Sequence, residues 1–242
     1  MDAVGLRPPA IYVLDVDPDL ARGVPAAEQG EARERSIARV LSLEESGWDV
    51  TALPAAAVDW LGLLVVDGLL IRRVLVGARA SCELFGVGDV LRPWDEDIEY
   101  SPLPITVEWL IIQPARLAVL DAAFARRVAR WPAIAAELMR RMASRARHLS
   151  LTAAFTHIPR IDSRLLVLYW LLAERWGRVT PDGVLIRLPI THQILAMLVG
   201  SRRPSVTIAL QRLARDELVI RRGRDEWLLT RKALEAPHGA QS

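Results

Sequence analysis

At 242 residues the chain exceeds the roughly 100–200 residues of a usual single core, so two domains are expected. Its hydrophobic fraction of 52% is ample for packed interiors. No uninterrupted apolar run reaches the roughly 18 residues of a membrane span: the richest stretch, Trp60 to Ile71, is broken by Asp67 and Gly68. The single cysteine, Cys82, excludes an internal disulfide and cannot alone ligate a cluster or structural zinc; it reads as a small apolar strand residue. No basic region leads into an apolar stretch at the N-terminus, so a cytoplasmic protein without a secretory leader is expected. The net charge of +2 hides an asymmetry. There are 10 basic against 19 acidic residues up to Ala118, 7 against 2 from Val119 to Phe155, and 14 against 8 beyond. An acidic first half and a basic second half suit a chain of which only the second half meets a polyanion. All basic residues but Lys232 are arginine, which reads as composition bias, so arginine abundance alone does not indicate phosphate recognition.

Residues 1 to 59 are punctuated by Pro8, Pro9, Pro18, Pro25 and Pro54, and Ala26 to Leu43 is predicted to form a charged helix. From Leu61 the texture becomes β-rich. Leu63–Val66, Leu69–Val76 and Ser81–Phe85 are separated by Asp67-Gly68, Gly77-Ala78 and Gly86-Val87-Gly88, the spacing of an antiparallel sheet, sandwich or barrel. An acidic loop, Pro93 to Pro104, precedes a last strand, Ile105 to Ile112, so the β unit is expected to end near 113. The period then turns helical through Leu117, Leu120, Phe124 and Val128, and Trp131-Pro132 opens a new helix. On it Ala135, Leu138, Met142, Arg145, Leu149 and Thr152 form a coiled-coil-like seam, with Arg140, Arg141, Arg147 and His148 opposite. The natural partner is a second copy, which predicts a parallel two-fold dimer; the competing reading packs the seam within its own chain. His157-Ile158-Pro159 ends this helix, and Asp162 caps the next, Ser163 to Trp176. Pro181-Asp182-Gly183 is a turn and Val184 to Leu188 a short strand.

The informative segment runs from Leu188 to Thr230. Thr191 is an N-cap candidate for a short helix carrying Ile194, Leu195 and Leu198 on one face. Gly200 breaks it, and Pro204 opens a second helix whose Val206, Leu210 and Leu213 face the core. Two short helices joined by a glycine-bearing turn are the helix-turn-helix pattern, whose second helix enters the major groove. Its outward positions, Ser205, Thr207, Ile208, Gln211 and Arg212, are the base-edge and phosphate candidates. Leu218–Ile220 and Trp227–Thr230 flank Arg221-Arg222-Gly223-Arg224-Asp225, a basic wing suited to the phosphate backbone. The candidate DNA contacts are therefore Thr191, Arg202, Arg203, Ser205, Thr207, Ile208, Gln211, Arg212, Arg221, Arg222 and Arg224.

Leu188 to Thr230 resembles the C-terminal domain of the Crp/Fnr regulators, most closely in Gly-Ser-Arg-Arg-Pro-Ser-Val followed by Ala-Leu-Gln-Arg-Leu. The likeness extends back through the helix from Trp131-Pro132 to Gly62–Leu91, which resembles the family's β-roll with Gly88-Asp89 at its Gly-Asp turn. The resemblance implies an α+β protein. Residues 1–113 would be a double-stranded β-helix (β-roll or jelly-roll) of the cyclic-nucleotide-binding type with an N-terminal extension, 114–158 connecting and dimerisation helices, and 159–242 a winged helix-turn-helix. It implies a homodimer on a palindromic operator in double-stranded DNA, with RNA polymerase as a further partner, no membrane association and no bound cofactor.

The likeness departs at the effector. Relatives that bind cyclic AMP resemble one another in a Gly-Glu pair after the Gly-Asp turn and an Arg-Ser or Arg-Thr some ten residues on, which hold ribose and cyclic phosphate. Here Arg92-Pro93 and Ser101-Pro-Leu-Pro104 stand instead, and Leu149 replaces the first of two adenine-facing hydroxyl residues, leaving only Ser150. Cyclic AMP is therefore not expected, and the effector is unnamed. Arg72, Arg73, Arg79 and Arg92 read as an anion pocket or as a solvated strand face. None of His148, His157, His192 and His238 lies in the β unit; each reads as a surface or capping residue rather than a haem ligand. The recognition helix keeps Arg203 of the family's Arg-Glu pair, with Pro204 for the Glu and Ile208 for a second Arg. No nucleophile elbow, phosphate loop or metal spacing supports an enzyme. A ligand-sensing or protein-interaction module whose helix-turn-helix is only scaffold is the remaining alternative; the basic wing, Arg203 and Arg212 weigh against it.

Overall fold

A computed structural model describes residues 9–54, 57, 59–77, 79–95 and 104–235, the side chain of Arg79 excepted. The chain divides into two compact units, residues 1–79 with 83–146, and residues 80–82 with 147–242.

The first unit opens with β1 (Ala10–Tyr12), α1 (Val13–Val16), α2 (Gln29–Arg35), β2 (Ile37–Leu43) and β3 (Gly47–Trp48). It continues with β4 (Gly62–Val76), β5 (Arg79–Phe85), β6 (Val90–Leu91), β7 (Ile105–Leu120), α3 (Ala122–Val128) and the first part of α4 (Pro132–Thr156). One sheet runs β1-β2-β7-β4-β5, with β3 on β7 and β6 on β4. Its frame is the long antiparallel β4–β7 pair, which runs from Gly62 opposite Leu120 to Val76 opposite Ile105. The expected helix over Ala26 to Leu43 is not continuous. It ends at Arg35, and Ile37–Leu43 is a strand whose Ala38 and Val40 are buried while Ile37 and Arg39 are exposed. Ser36 makes the break: its hydroxyl donates to the Arg33 carbonyl at 2.7 Å and accepts from the Leu14 amide at 3.2 Å.

Asp67-Gly68 is a bulge inside β4 rather than a turn, with the register slipping between Val65 and Leu70. Gly68 sits at φ +93°, and a Cβ there would lie 2.4 Å from the Pro114 carbonyl oxygen. Gly68→Ala is therefore expected to cost at least about 1–2 kcal/mol for the left-handed backbone alone, more with the clash. Calorimetry that found an unchanged melting temperature would contradict this.

The helical period read from Leu117 and Leu120 belongs to β7, which carries the β unit on to Leu120. The sheet is buried on both faces here, so apolar residues do not alternate. Leu64, Ala118 and Leu120 pack under the helices with Phe124, Val128, Trp131 and Ile134. Leu63, Val65, Leu117 and Val119 point into the roll with Leu70, Phe85, Leu91 and Trp109.

The predicted seam on α4 is corrected in its first half. Leu138 is 2% exposed and packs in its own chain against Val13, Leu14, Leu20, Val24 and Ala32, with Met142 half-buried beside it. Arg145 donates to both Glu83 carboxylate oxygens at 2.6 and 2.8 Å and lies over the Phe85 ring. Ala135 is half-buried, Leu149 exposed and Thr152 half-buried. Nor is the opposite face simply solvated. Arg141 is gripped by Asp17, donates to the Gly88 carbonyl at 3.0 Å and also donates to Glu137 at 3.2 Å. Residues 9–35 thus cover the start of α4, helped by Trp131 Nε1 donating to Glu28 at 2.7 Å and by the Arg130–Glu31 ion pair. One residue further round, Ala136, Met139 and Ala143 are exposed, Met139 at 66%.

The second unit comprises the end of α4, α5 (Ile161–Trp176), β8 (Gly177–Thr180), β9 (Gly183–Arg187), α6 (His192–Leu198), α7 (Arg203–Arg215), β10 (Val219–Arg221), β11 (Glu226–Thr230) and α8 (Arg231–Glu235). Its antiparallel sheet runs β10-β11-β9-β8. α5 starts two residues before the expected Ser163. Arg160 holds the cap position, and Asp162 sits in the first turn, accepting from the Ser163 amide at 2.9 Å and from Arg160. The Arg160 hydrogen bond outweighs burial and keeps the Asp162 carboxyl below its usual range.

Candidate nucleic-acid interface

α6 begins where Thr191 Oγ1 accepts the Ile194 amide at 3.2 Å, the expected N-cap. Ile194, Leu195 and Leu198 are buried as anticipated. Gly200, at φ +61°, reverses the chain, and the Ser201 amide closes onto the Ala196 carbonyl at 2.8 Å. α7 follows with Pro204 in its first turn, where a missing N–H costs nothing, and with Val206, Ala209, Leu210 and Leu213 buried. The two helices therefore share one apolar interior and leave the other side of α7 to solvent.

That side carries Arg202, Arg203, Ile208, Gln211 and Arg212, all exposed, Ile208 at 52%, with Ser205 half-buried. Among the described residues Arg202, Arg203 and Arg212 have no ion pair, whereas Arg33, Arg73, Arg141 and Arg145 in the first unit are each held by a carboxylate. The unpaired guanidiniums of Arg202 and Arg203, at the start of the helix, add to the positive end of its dipole, which is the electrostatics an anion needs. The wing arginines divide by role. Arg221 donates to the Gly223 and Arg224 carbonyls at 3.0 and 2.7 Å and lies over Trp227, so it shapes the β10–β11 hairpin. Arg222 pairs with Asp182 at 2.9 Å, and Arg224 is exposed without an ion pair among the described residues.

Thr207 differs from its expected role, because its hydroxyl is engaged within the motif. It donates to the Arg203 carbonyl at 3.1 Å and lies 2.9 Å from His192 Nδ1. His192 is the residue that sequence reasoning missed. Burial first, then the charges of Arg221 and Arg203, lower its pKa and favour the neutral ring. Its spacing of fifteen from Thr207 carries no periodic signal, so only the packing of α6 against α7 reveals the pair.

Among the described residues of the first unit, Arg72, Arg73 and Arg92 do not form an open anion pocket. Arg73 pairs with Glu108 at 2.8 Å and Arg72 lies 3.7 Å from Glu83. Arg92 bonds Asp95 and the Trp60 and Leu61 carbonyls and lies over Trp94. The Arg79 side chain, residues 101–103 of the departed cassette and His238 lie outside the described residues. His148 lies 3.5 Å from Glu174, and Cys82 is buried. Among the described residues no group of three or more His, Cys, Asp or Glu is placed to hold a metal ion, and no helix is long and apolar enough to cross a membrane.

Residues 163–236 match the family model of the Crp-like helix-turn-helix domain. Over 59 residues the chain is 39% identical to the ycf28 protein of Porphyra purpurea, named as an HTH-type transcriptional regulator; the match spans 24% of this chain and about a quarter of that protein. The fold is similar to the solved structure of a CooA variant from Carboxydothermus hydrogenoformans, with a TM-score of 0.62, 14% identity, and 93% of this chain and 94% of that one covered. FixK2 from Bradyrhizobium japonicum aligns with a TM-score of 0.59 at 15% identity, over 85% and 99% of the two chains. A cyclic nucleotide-binding domain containing protein from Listeria monocytogenes aligns with a TM-score of 0.61 at 16% identity, over 80% and 90%. The resemblance read from the sequence holds for the fold along most of the chain and, for residues 163–236, for the Crp-like helix-turn-helix family.

Proposed function

We propose that this chain, which joins a Crp-like helix-turn-helix domain to a β-roll of the Crp/Fnr type, is a homodimeric transcription regulator that reads a two-fold-symmetric operator. α7 enters the major groove and the β10–β11 hairpin lies along the phosphate backbone. The observation that carries this reading is the exposed face of α7, where Arg202, Arg203 and Arg212 lack ion pairs among the described residues. A helix-turn-helix serving only as scaffold would have no use for such a face. Arg203 at the helix start suits a bidentate contact with guanine O6 and N7, and the exposed Ile208 suits a thymine methyl. The two copies meet through α4 along Ala136, Met139 and Ala143, a spacing of three and four continued by Ala146, Ser150 and Ala153. DNA and RNA polymerase are the partners of such a protein, in the cytoplasm.

Binding-site enrichment from random DNA is expected to return a palindrome with a guanine and a thymine at fixed positions in each half-site, unlike the cyclic-AMP-type half-site. Recovery of that type, or of no palindrome, would show the reading of α7 to be wrong. Cyclic AMP is not the effector in this reading, because Arg72, Arg73 and Arg92 are already matched by protein acceptors. Calorimetry with cyclic AMP is expected to give no heat of binding at micromolar concentrations, and micromolar affinity would overturn the statement.

A further inference from the structure

We infer that His192 is a positioning residue for DNA reading: through Thr207 it fixes the start of α7 and so aims Arg203 at its base. The inference rests on the DNA-binding reading above and deepens it.

One assignment of the protons satisfies both contacts of Thr207. Thr207 Oγ1 gives its hydrogen to the Arg203 carbonyl at 3.1 Å, so only its lone pairs remain for His192. His192 Nδ1, 2.9 Å away, must then carry the hydrogen and donate it, leaving the Nε2 lone pair to the other edge of the ring. The relay therefore runs from the first residue of α6 through the first turn of α7 to the backbone of Arg203, the first residue of α7. Among the described residues it is the one side-chain hydrogen bond that joins α6 to α7. A threonine bonding back to the carbonyl four residues earlier needs no second helix. The added donor from α6 is what ties the angle of α7's first turn to the rest of the motif. The ring is held in place by Trp227, 6.4 Å away between centroids, which also underlies Arg221. Burial and the nearby Arg221 and Arg203 charges keep the imidazole neutral, the form in which a single Nδ1–H gives this bond its direction. Among the described residues Arg203 itself has no ion pair to orient it, so its aim depends on the backbone from which it springs.

The test measures binding, by fluorescence anisotropy at one salt concentration, of the enriched operator, the operator with the Arg203-read guanine replaced, and unrelated duplex DNA. His192→Ala is expected to reduce discrimination for that guanine about five- to tenfold with affinity for unrelated DNA unchanged, the worth of one hydrogen bond. Thr207→Val should do the same, and the double variant no more than either alone. His192→Asn, whose Nδ2–H stands where Nδ1–H stood, should restore discrimination. If His192→Ala melts below the assay temperature, Thr207→Val and His192→Asn decide alone. The inference is overturned if His192→Ala keeps full discrimination and weakens all DNA alike, the mark of a phosphate contact, or if Asn behaves as Ala. A wild type with no preference for any duplex would instead overturn the DNA-binding reading itself.

Discussion

Leu138→Arg is expected to unfold the N-terminal unit rather than to separate a dimer into folded halves. Leu138 is 2% exposed and contacts the core formed by Val13, Leu20, Val24, Phe124 and Ile134. Truncating such a leucine costs about 2–5 kcal/mol before any charge is added. A guanidinium in its place finds no carboxylate in that apolar cluster, and an uncompensated buried charge adds several kcal/mol more. The sum rivals the entire stability of a typical domain, about 5–15 kcal/mol. Met139→Arg, one residue further along α4, starts from a side chain 66% exposed and should alter monomer stability by less than about 0.5 kcal/mol. It should nevertheless abolish dimerisation. Calorimetry and light scattering on the two variants distinguish the faces. A folded, monomeric Leu138→Arg protein beside a dimeric Met139→Arg protein would restore the seam through Leu138, Met142 and Leu149.

The second large effect concerns the arginines proposed to meet DNA, and it differs in kind from one residue to the next. Arg203→Ala should remove about 1–3 kcal/mol of discrimination, roughly five- to 150-fold, at a single base position, because a bidentate guanine contact is lost and no other is disturbed. Arg224→Ala should weaken every sequence alike and lower the slope of log affinity against log salt by about one, the signature of one phosphate contact. Arg222→Ala should do so less, since Asp182 at 2.9 Å already offsets part of its charge. Titrations on specific and unrelated DNA at several salt concentrations separate these outcomes. Equal loss on all sequences for Arg203→Ala would mean that it touches phosphate only.

Much of the second unit was legible because its signals are local. Thr191 caps α6, Gly200 turns, Pro204 opens α7, and Ile194, Leu195, Leu198, Val206, Leu210 and Leu213 are buried as their spacing indicates. A short amphipathic helix against one core writes its burial into a period of three and four. The first unit was legible only as β-rich. Asp67-Gly68 looks like a turn because a glycine at positive φ serves a bulge as well as a reversal. The alternation of β2 was hidden behind the helix-favouring Gln29–Arg35 that precedes it, and β7 is apolar on both faces near Leu120.

The amino-acid sequence by itself determined the class of fold, the order helix, turn, helix and wing, and the exposure of Arg202, Arg203, Ile208 and Arg212. These follow from residues within about one helical turn of each other, whose side chains carry a period wherever one face is dry. Three things were decided only by the tertiary structure: which stripe of α4 remains open, which arginines remain unpaired, and that His192 stands behind Arg203. Val13, Leu14 and Leu20 reach Leu138 across more than a hundred positions, Glu83 reaches Arg145, and His192 reaches Thr207 from the neighbouring helix. Burial and charge pairing of this kind depend on which segment closes over a surface, and that is set by the packing of distant elements, about which the local period of a helix carries no information.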